Sequence, residues 1–204
     1  MGAPPTSTLV RPATEADHEP AAEALALAFA DDPGWTHILP ESGVRAERLL
    51  TFFTAEIANV VPEHRELWVT DDGGGAALWG RPGRWRVPLT RTIRPAPQMA
   101  KVFGRRLGIA TWAQLRFERH HPRRPDHWYL HYVGVDPRHQ GRGLGAALLA
   151  PVLERCDRER APAYLESSSE RNRALYERHG FELTGTFPLP AGGPPVREMW
   201  RDPL

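Results

Sequence analysis

The stretch His131–Leu149, HYVGVDPRHQGRGLGAALL, decides the fold of this chain. Its first part continues a run of aromatic and β-branched residues that begins at Tyr129. Asp136-Pro137 ends that run, so the pattern predicts a buried strand. Three glycines at alternate positions follow, and apolar residues then recur at helical spacing through Leu153. The predicted order is therefore strand, glycine loop and helix.

A glycine loop in front of a helix is a geometry that binds phosphates. The first N–H groups of a helix have no partner inside the helix, and glycine lets the backbone approach an anion closely. The spacing Gly141-Arg-Gly143-Leu-Gly145 is not the Gly-x-Gly-x-x-Gly of dinucleotide-binding folds. It also lacks the Gly-Lys-Ser/Thr that ends an ATP-binding loop. Taken alone, the loop equally fits a tight connection between a strand and a helix.

Two motifs resemble those of one family, the GCN5-related N-acetyltransferases (GNAT). Val133–Gly145 resembles the family's acyl-coenzyme A signature, a strand ending Val-x-Val-x-Pro followed by Gln/Arg-x-x-Gly-x-Gly/Ala. Asn172–Phe181, NRALYERHGF, resembles the second signature, Asn-x-x-x-Tyr followed by Gly-Phe. The resemblance extends from about Leu9 to about Trp200, and within the family the chain looks most similar to the puromycin N-acetyltransferases. That closer likeness rests on residues 28–33, 67–72, 77–79, 134–141 and 162–166.

The resemblance implies an α/β chain with the GNAT acyl-CoA N-acyltransferase fold, a mixed and strongly twisted sheet with helices on both faces. It also implies acetyl-CoA as co-substrate. The fourth and fifth strands would splay apart at a bulge marked by Gly134, and the backbone of Val133 and Val135 would pair with the pantetheine arm. An interior glycine commonly marks either a bulge or the close approach of another segment. The implied cofactor-binding residues are Val133, Gly134, Val135, Gln140, Gly141, Arg142, Gly143, Leu144, Gly145, Ala146, Asn172 and Tyr176.

Acetyl transfer to an amine needs an unprotonated nitrogen, stabilisation of an oxyanion and a proton for the departing thiolate. By the resemblance, Tyr176 supplies that proton, and a phenol with a pKa near about 10 is protonated at neutral pH. The base has two candidates, His131 and Glu166. His131 lies two residues after Tyr129, the position at which family members often carry a glutamate, and Glu166 ends the predicted strand 163–166.

The acceptor site is predicted around Asp31–Pro40, DDPGWTHILP, because carboxylates beside an aromatic ring suit a cationic amine. A helix end followed by a Pro-Gly turn is the alternative for this segment. Trp79 closes a predicted hairpin beside the strand that begins at Tyr129, where it either lines the acceptor pocket or packs in the core. The candidate acceptor-binding residues are Asp32, Trp35, Trp79, Tyr129 and Glu166.

Other local signals predict the remaining elements. A capping box at Thr14 opens a helix through Phe29, and apolar spacing predicts a helix over Val44–Val60. The sequence Asp71-Asp-Gly-Gly-Gly75 predicts a hairpin. Residues 82–125 form a proline-rich and helical insertion between the third and fourth strands of one acetyltransferase domain, residues 1–204.

The composition limits which classes of binding partner and which cellular compartment we expect for this chain. The chain has 204 residues, 41% hydrophobic and 25% charged, and a net charge of +1, which gives no reason to expect a nucleic acid or a membrane as partner. Cys156 has no partner for an internal disulfide, and no run of eighteen apolar residues occurs, so we expect a cytoplasmic protein, monomeric or homodimeric. His120, His121 and His127 lack the convergent spacing of a metal site, so no metal is expected.

The preferred hypothesis is an N-acetyltransferase that moves acetyl from acetyl-CoA to a primary amine of a small molecule, with an aminonucleoside or another antibiotic as a candidate. One alternative is acetylation of a protein or peptide amino group, for which a more open, acidic groove is expected. A second alternative is a non-catalytic acyl-CoA sensor, which would keep the cofactor motif but has no need of Tyr176.

Overall fold

The computed structural model describes residues 9–85 and 96–204, without the side chains of residues 59–64. The strands in these ranges are β1 (Val10–Pro12), β2 (Arg65–Thr70), β3 (Gly75–Gly80), β4 (Trp128–Val135), β5 (Ala163–Ser167), β6 (Glu182–Pro188) and β7 (Pro195–Arg201). The helices are α1 (His18–Phe29), α2 (Pro33–Ile38), α3 (Ser42–His64), α4 (Ala96–Phe103), α5 (Leu107–His120), α6 (Leu144–Glu159) and α7 (Arg173–Arg178).

The strands form one mixed sheet in the order β1-β2-β3-β4-β5-β7-β6. All neighbours are antiparallel except β4 and β5, which are parallel. One core cluster lies between the sheet and helices α1, α3 and α4, and it includes Leu25, Phe53 and Leu78. A second cluster lies between the sheet and α6, and it includes Leu148 and Phe181. Helices therefore cover both faces, and the predicted fold class is confirmed.

The local signals read from the sequence also correspond to real elements. The Thr14 and Asp17 side chains form the capping box in front of α1. The predicted second helix is α3, which begins at Ser42 and ends at His64. The predicted hairpin is β2–β3, with Val69 paired to Ala76. Helices α4 and α5 lie between β3 and β4, while predictions about residues 86–95 fall outside the described residues.

Strands β4 and β5 separate soon after they meet. Their pairing covers three positions and ends at Leu130–Leu165, although β4 continues to Val135. Beyond Leu130, β4 pairs with β3 alone. One side of the second half of β4 therefore faces a gap rather than a neighbouring strand, as the resemblance implied.

The bulge in β4 lies at His131 and not at Gly134, where the sequence placed it. Leu78 pairs with Tyr132 and Trp79 pairs with Leu130, so His131 has no opposite residue in β3. An extra residue reverses the alternation of side chains beyond it. Val133 and Val135 therefore pack against the α6 cluster, whereas Tyr132 packs on the α1–α3 side.

Gly134 has a different reason to be glycine. It pairs in register with Ala76, and a Cβ built on it would lie 2.7 Å from Cβ of Ala28 and 3.1 Å from Cδ2 of Leu25, both on α1. The close-approach explanation is therefore the correct one. The missing side chain lets α1 pack directly on β4.

No helix in the described ranges is both long and apolar enough to span a membrane.

Candidate active site

A cavity of about 570 Å³ opens on the α1–α3 side of the sheet, beside the point where β4 and β5 separate. Segments distant in sequence build its wall: the end of α1, helices α2 to α5, the middle of β4, the end of β5, and α7. Aromatic side chains form a large share of that wall, including Phe29, Trp35, Phe52, Trp85, Phe103, Phe117, Tyr129 and Tyr132. The predicted residues Asp32, His131, Val133, Glu166, Asn172 and Tyr176 also line it.

The glycine loop forms an open backbone cradle at the start of α6. Gly141 and Gly143 both have φ of +79°, a conformation that favours glycine, and a Cβ on either would meet no atom within 4 Å. Gly143 is the N-cap of α6, so the N–H groups of Leu144, Gly145 and Ala146 have no partner within the helix. Free N–H groups beside open space are what a pyrophosphate requires.

The gap beside β4 exposes backbone groups next to this cradle. The N–H of Asp136 donates to the carbonyl of Gly74 (2.9 Å), so Asp136 and Gly134 direct their polar groups toward β3. Val133 and Val135 then direct theirs into the gap. The Gln140 side chain donates to the Val135 carbonyl (3.0 Å), so it ties the loop to the strand end instead of reaching into the cradle.

Asn172 and Tyr176 both line the cavity, although α7 begins only after Asn172, which ends a 3₁₀ turn. Tyr176 is buried, with 5% of its surface exposed. Burial, and then the charge of Asp32, raise the pKa of Tyr176 above its ordinary value. The phenol is therefore protonated at neutral pH and available as an acid.

Asp32 lies at the N-terminus of α2, and the segment expected to be a loop is helical. Its Oδ1 accepts hydrogen bonds from the N–H groups of Gly34 (2.9 Å) and Trp35 (3.2 Å), and the hydroxyl of Ser168 donates to the same carboxylate (2.8 Å). Burial raises the pKa of Asp32 despite these donors. Asp32 lines the cavity, but its carboxylate mainly caps a helix and holds the end of β5.

His131 lies beside a buried ion pair that the sequence did not reveal. Glu56 of α3 pairs with Arg65 of β2, and Nδ1 of His131 is 3.6 Å from Oε1 of Glu56. The ring stacks on Tyr132 with centroids 4.2 Å apart. Glu56 is one charge among many on an amphipathic helix, so only the fold brings it to the cavity.

Glu166 is the most unusual group in the wall. Only 2% of its side chain is exposed, and neither carboxylate oxygen has a donor in full hydrogen-bond geometry among the described residues. Tyr129 and Tyr164 are its polar neighbours: after burial, the charge of Glu166 and hydrogen bonding to it raise the pKa of both phenols above the ordinary value. A buried carboxylate held only by such weak contacts costs on the order of several kcal/mol, so the site favours a positive charge beside it.

Trp79 is a correction to the predicted acceptor-binding set. Its side chain is fully buried in the cluster under α6, with Leu148, Val152 and Cys156, and it does not line the cavity. Trp79 pairs with Leu130, the residue just before the bulge at His131. Both side chains therefore lie on the face of the sheet that α6 covers. Core packing, the alternative reading, is the correct one.

The three histidines considered for metal binding have separate environments. Nδ1 of His120 is 3.5 Å from Oε1 of Glu198, away from the cavity, whereas His121 lines the cavity and contacts His127. Within residues 9–85 and 96–204 there is no group of three or more His, Cys, Asp or Glu side chains placed to hold a metal ion.

The sheet opens between two parallel strands beside the glycine cradle of α6, which is the arrangement that the resemblance implied for an acyltransferase that uses an acyl-CoA. The model of the Acetyltransferase (GNAT) family matches residues 79–181. An uncharacterized N-acetyltransferase from Schizosaccharomyces pombe is 31% identical over 182 residues, which are 81% of this chain and 70% of that protein. The chain belongs to the GNAT family and is an acetyl-CoA-dependent N-acetyltransferase.

Solved structures give the same assignment. A Corynebacterium glutamicum protein described as histone acetyltransferase HPA2 and related acetyltransferase is 30% identical, with a TM-score of 0.75 and 98% of both chains covered. Arylalkylamine N-acetyltransferase 2 from Aedes aegypti shares the fold, with a TM-score of 0.56 at 13% identity over 97% of this chain and 99% of that chain.

Proposed function

We propose that this enzyme acetylates a primary amine on a small, largely apolar or aromatic molecule. The observation that carries the proposal is the Glu166 carboxylate, buried and without a donor in full hydrogen-bond geometry, in a cavity that many aromatic rings line. An ammonium group that enters the cavity gains an ion pair with Glu166 and cation–π contacts with the rings. The apolar remainder of the acceptor gains burial.

The other carboxylates of the described cavity wall are already engaged. Asp32 accepts from Ser168, Glu56 pairs with Arg65, and Glu118 accepts from Gln114 (3.2 Å). Glu166 is therefore the carboxylate left for an acceptor. The cavity volume of about 570 Å³ is typical of sites for small ligands, which supports a small acceptor over a protein or peptide amino group.

The chain's own groups are assigned as follows. The backbone N–H groups of Gly141–Ala146 bind the cofactor's pyrophosphate, and Val133 and the N–H of Val135 bind the pantetheine arm in the gap beside β4. Asn172 holds the cofactor's amide, and Tyr176 donates a proton to the departing thiolate. Tyr129 and Trp35 contact the acceptor. This division is supported by the open cradle, the unpaired side of β4 and the burial of Tyr176.

An aminonucleoside antibiotic is the acceptor we place first within this class. Such a molecule combines a primary amine with aromatic rings, which match Glu166 and the aromatic wall. The resemblance of several segments to the puromycin N-acetyltransferases supports the same choice.

The test is a panel assay that follows thiol release from acetyl-CoA. It compares puromycin, an arylalkylamine, an aliphatic amine of similar size and a peptide with a free lysine. We expect kcat/KM to be highest for the aromatic small amines and Glu166→Gln to raise their KM. Glu118→Gln is the matched control, because that carboxylate is exposed and already accepts a hydrogen bond. Preference for the peptide, or no turnover of any small amine, would refute the proposal.

A further inference from the structure

Two buried histidines stand behind Glu166, and the reaction as assigned above does not use them. Nδ1 of His121 is 3.7 Å from Oε1 of Glu166, and Nε2 of His121 is 3.0 Å from Nε2 of His127. Nδ1 of His127 is 2.8 Å from the carbonyl oxygen of Pro125. The His121 side chain is 2% exposed and His127 is 3% exposed. The two contacts of His127 are within hydrogen-bond distance and the contact with Glu166 is longer, so the four groups form a line of polar contacts that begins at the cavity wall.

The contact with the Pro125 carbonyl at the end of this line determines which ring nitrogens carry hydrogens. A carbonyl oxygen only accepts hydrogen bonds, so Nδ1 of His127 must carry a hydrogen. Burial lowers the pKa of His127, so its ring is neutral at neutral pH and Nε2 is an acceptor. Nε2 of His121 must then carry the hydrogen between the two rings. In the neutral ring, Nδ1 of His121 is left as a basic nitrogen that faces the Glu166 carboxylate.

The surroundings keep this arrangement in place. Trp85 stacks on the His121 ring with centroids 3.9 Å apart, and Tyr129 and Tyr164 contact the ring by their edges. The titratable groups around His121 lie on three segments. Asp126 and His127 lie in the loop before β4, Tyr129 lies on β4, and Tyr164 and Glu166 lie on β5. Glu198 of β7 acts on Tyr164. Burial first, then the charge of Glu166, raise the pKa of Tyr164, so both tyrosines remain neutral.

We infer that His121 receives, through Glu166, the proton that the acceptor's ammonium group gives up before it attacks the thioester. An N–H bond of the ammonium breaks and its electron pair stays on the nitrogen. The proton passes by way of the Glu166 oxygen to Nδ1 of His121, where an N–H bond forms. The products are a neutral amine, a carboxylate and an imidazolium. The net charge of the three groups is zero before and after, so no new uncompensated charge is buried.

His121 acts through Glu166 and is therefore a positioning residue. This inference rests on the proposed function, since it requires a cationic acceptor at Glu166. It predicts that loss of the basic nitrogen slows the reaction while the acceptor still binds, because the carboxylate remains.

The first test is His121→Gln, whose amide can still donate to His127 but has no basic nitrogen. His120→Gln is the matched control, one residue away and outside the cavity wall. With an amine found active in the panel, we expect His121→Gln to lower kcat by roughly 10² to 10⁴, the range for general-base catalysis, with acceptor KM within about threefold. The acidic limb of its kcat/KM profile should move to higher pH. A kcat within threefold of the parent enzyme and an unmoved limb would overturn the inference.

The second test needs neither a variant nor an acceptor. Nitrogen-15 NMR of the imidazoles in the parent protein at neutral pH reports which ring nitrogens carry hydrogens. We expect hydrogen on Nδ1 of His127 and on Nε2 of His121. Hydrogen on Nε2 of a neutral His127, or on Nδ1 of His121 with or without one on Nε2, would overturn the proton line. Failure of the whole amine panel would instead count against the proposed function, and the NMR result would still decide the proton arrangement.

Discussion

The contact between Gly134 and α1 gives the sharpest prediction. In Gly134→Ala the new methyl group would start 2.7 Å from Cβ of Ala28. Carbon atoms normally rest about 3.5–4.0 Å apart, so α1 or β4 must move by about 1 Å. Ala28 cannot rotate away, because its Cβ is fixed by the helix backbone. We therefore expect the strain to displace α1 from the sheet.

Gly80→Ala on the neighbouring strand is the matched control. Its Cβ would meet Cβ of Tyr129 at 3.5 Å, which is an ordinary contact. Both substitutions gain the same roughly 0.5–1 kcal/mol from replacing a strand glycine, so this gain cancels when the two variants are compared. The remaining difference is the overpacking cost at Gly134, about 1–3 kcal/mol. For a chain of this size that corresponds to a Tm lower by about 2–12 °C.

Denaturant and thermal unfolding of the two variants, monitored by circular dichroism, give the difference directly. Equal stability within about 0.5 kcal/mol would show that α1 does not press on Gly134.

Three further predictions concern the reaction. Gly143→Asp places a side chain on a φ of +79° and a negative charge in the cradle, so acetyl-CoA affinity measured by calorimetry should fall by at least about tenfold, and unchanged affinity in a folded variant would remove the loop from the cofactor site. Tyr176→Phe should lower kcat by roughly 10² to 10⁴ with nearly unchanged cofactor binding, and a kcat within a few-fold of the parent enzyme would exclude the phenol as the acid. His131→Ala should keep the acidic limb of kcat/KM if Glu166 and His121 take the proton, whereas loss of that limb would identify His131 as the base.

Local features of the active site could be predicted because they depend on neighbours in the sequence. The strand, the glycine loop and α6 follow one another directly in the chain. Glycine is the residue that permits the positive φ angles observed at positions 141 and 143. Tyr176 was singled out by its place in Asn172-x-x-x-Tyr176, which resembles the family's second motif. Such local patterns can be recognised without knowledge of the tertiary structure.

The features that were missed depend on register and on long-range packing. The bulge at His131 exists only relative to the pairing of β4 with β3, so the sequence of β4 alone placed it at the wrong residue. The same pairing determines that the Trp79 side chain lies on the α6 face of the sheet and not in the cavity. His121 was considered only as a metal ligand, because nothing in its local sequence indicates that it packs beside Glu166.

In the proposed function, strand β4 serves the two substrates with different groups. The side chains of Tyr129 and His131 line the acceptor cavity, and the backbone of Val133 and Val135 faces the gap beside β4. Cofactor binding assigned in this way relies on main-chain atoms and the adjoining glycine loop, whereas the acceptor wall draws side chains such as Phe103 and Phe117 from the segment inserted between β3 and β4. Acceptor selectivity can therefore diverge through substitutions in that segment while acetyl-CoA recognition stays constant, which makes α4 and α5 the natural place to retarget the enzyme.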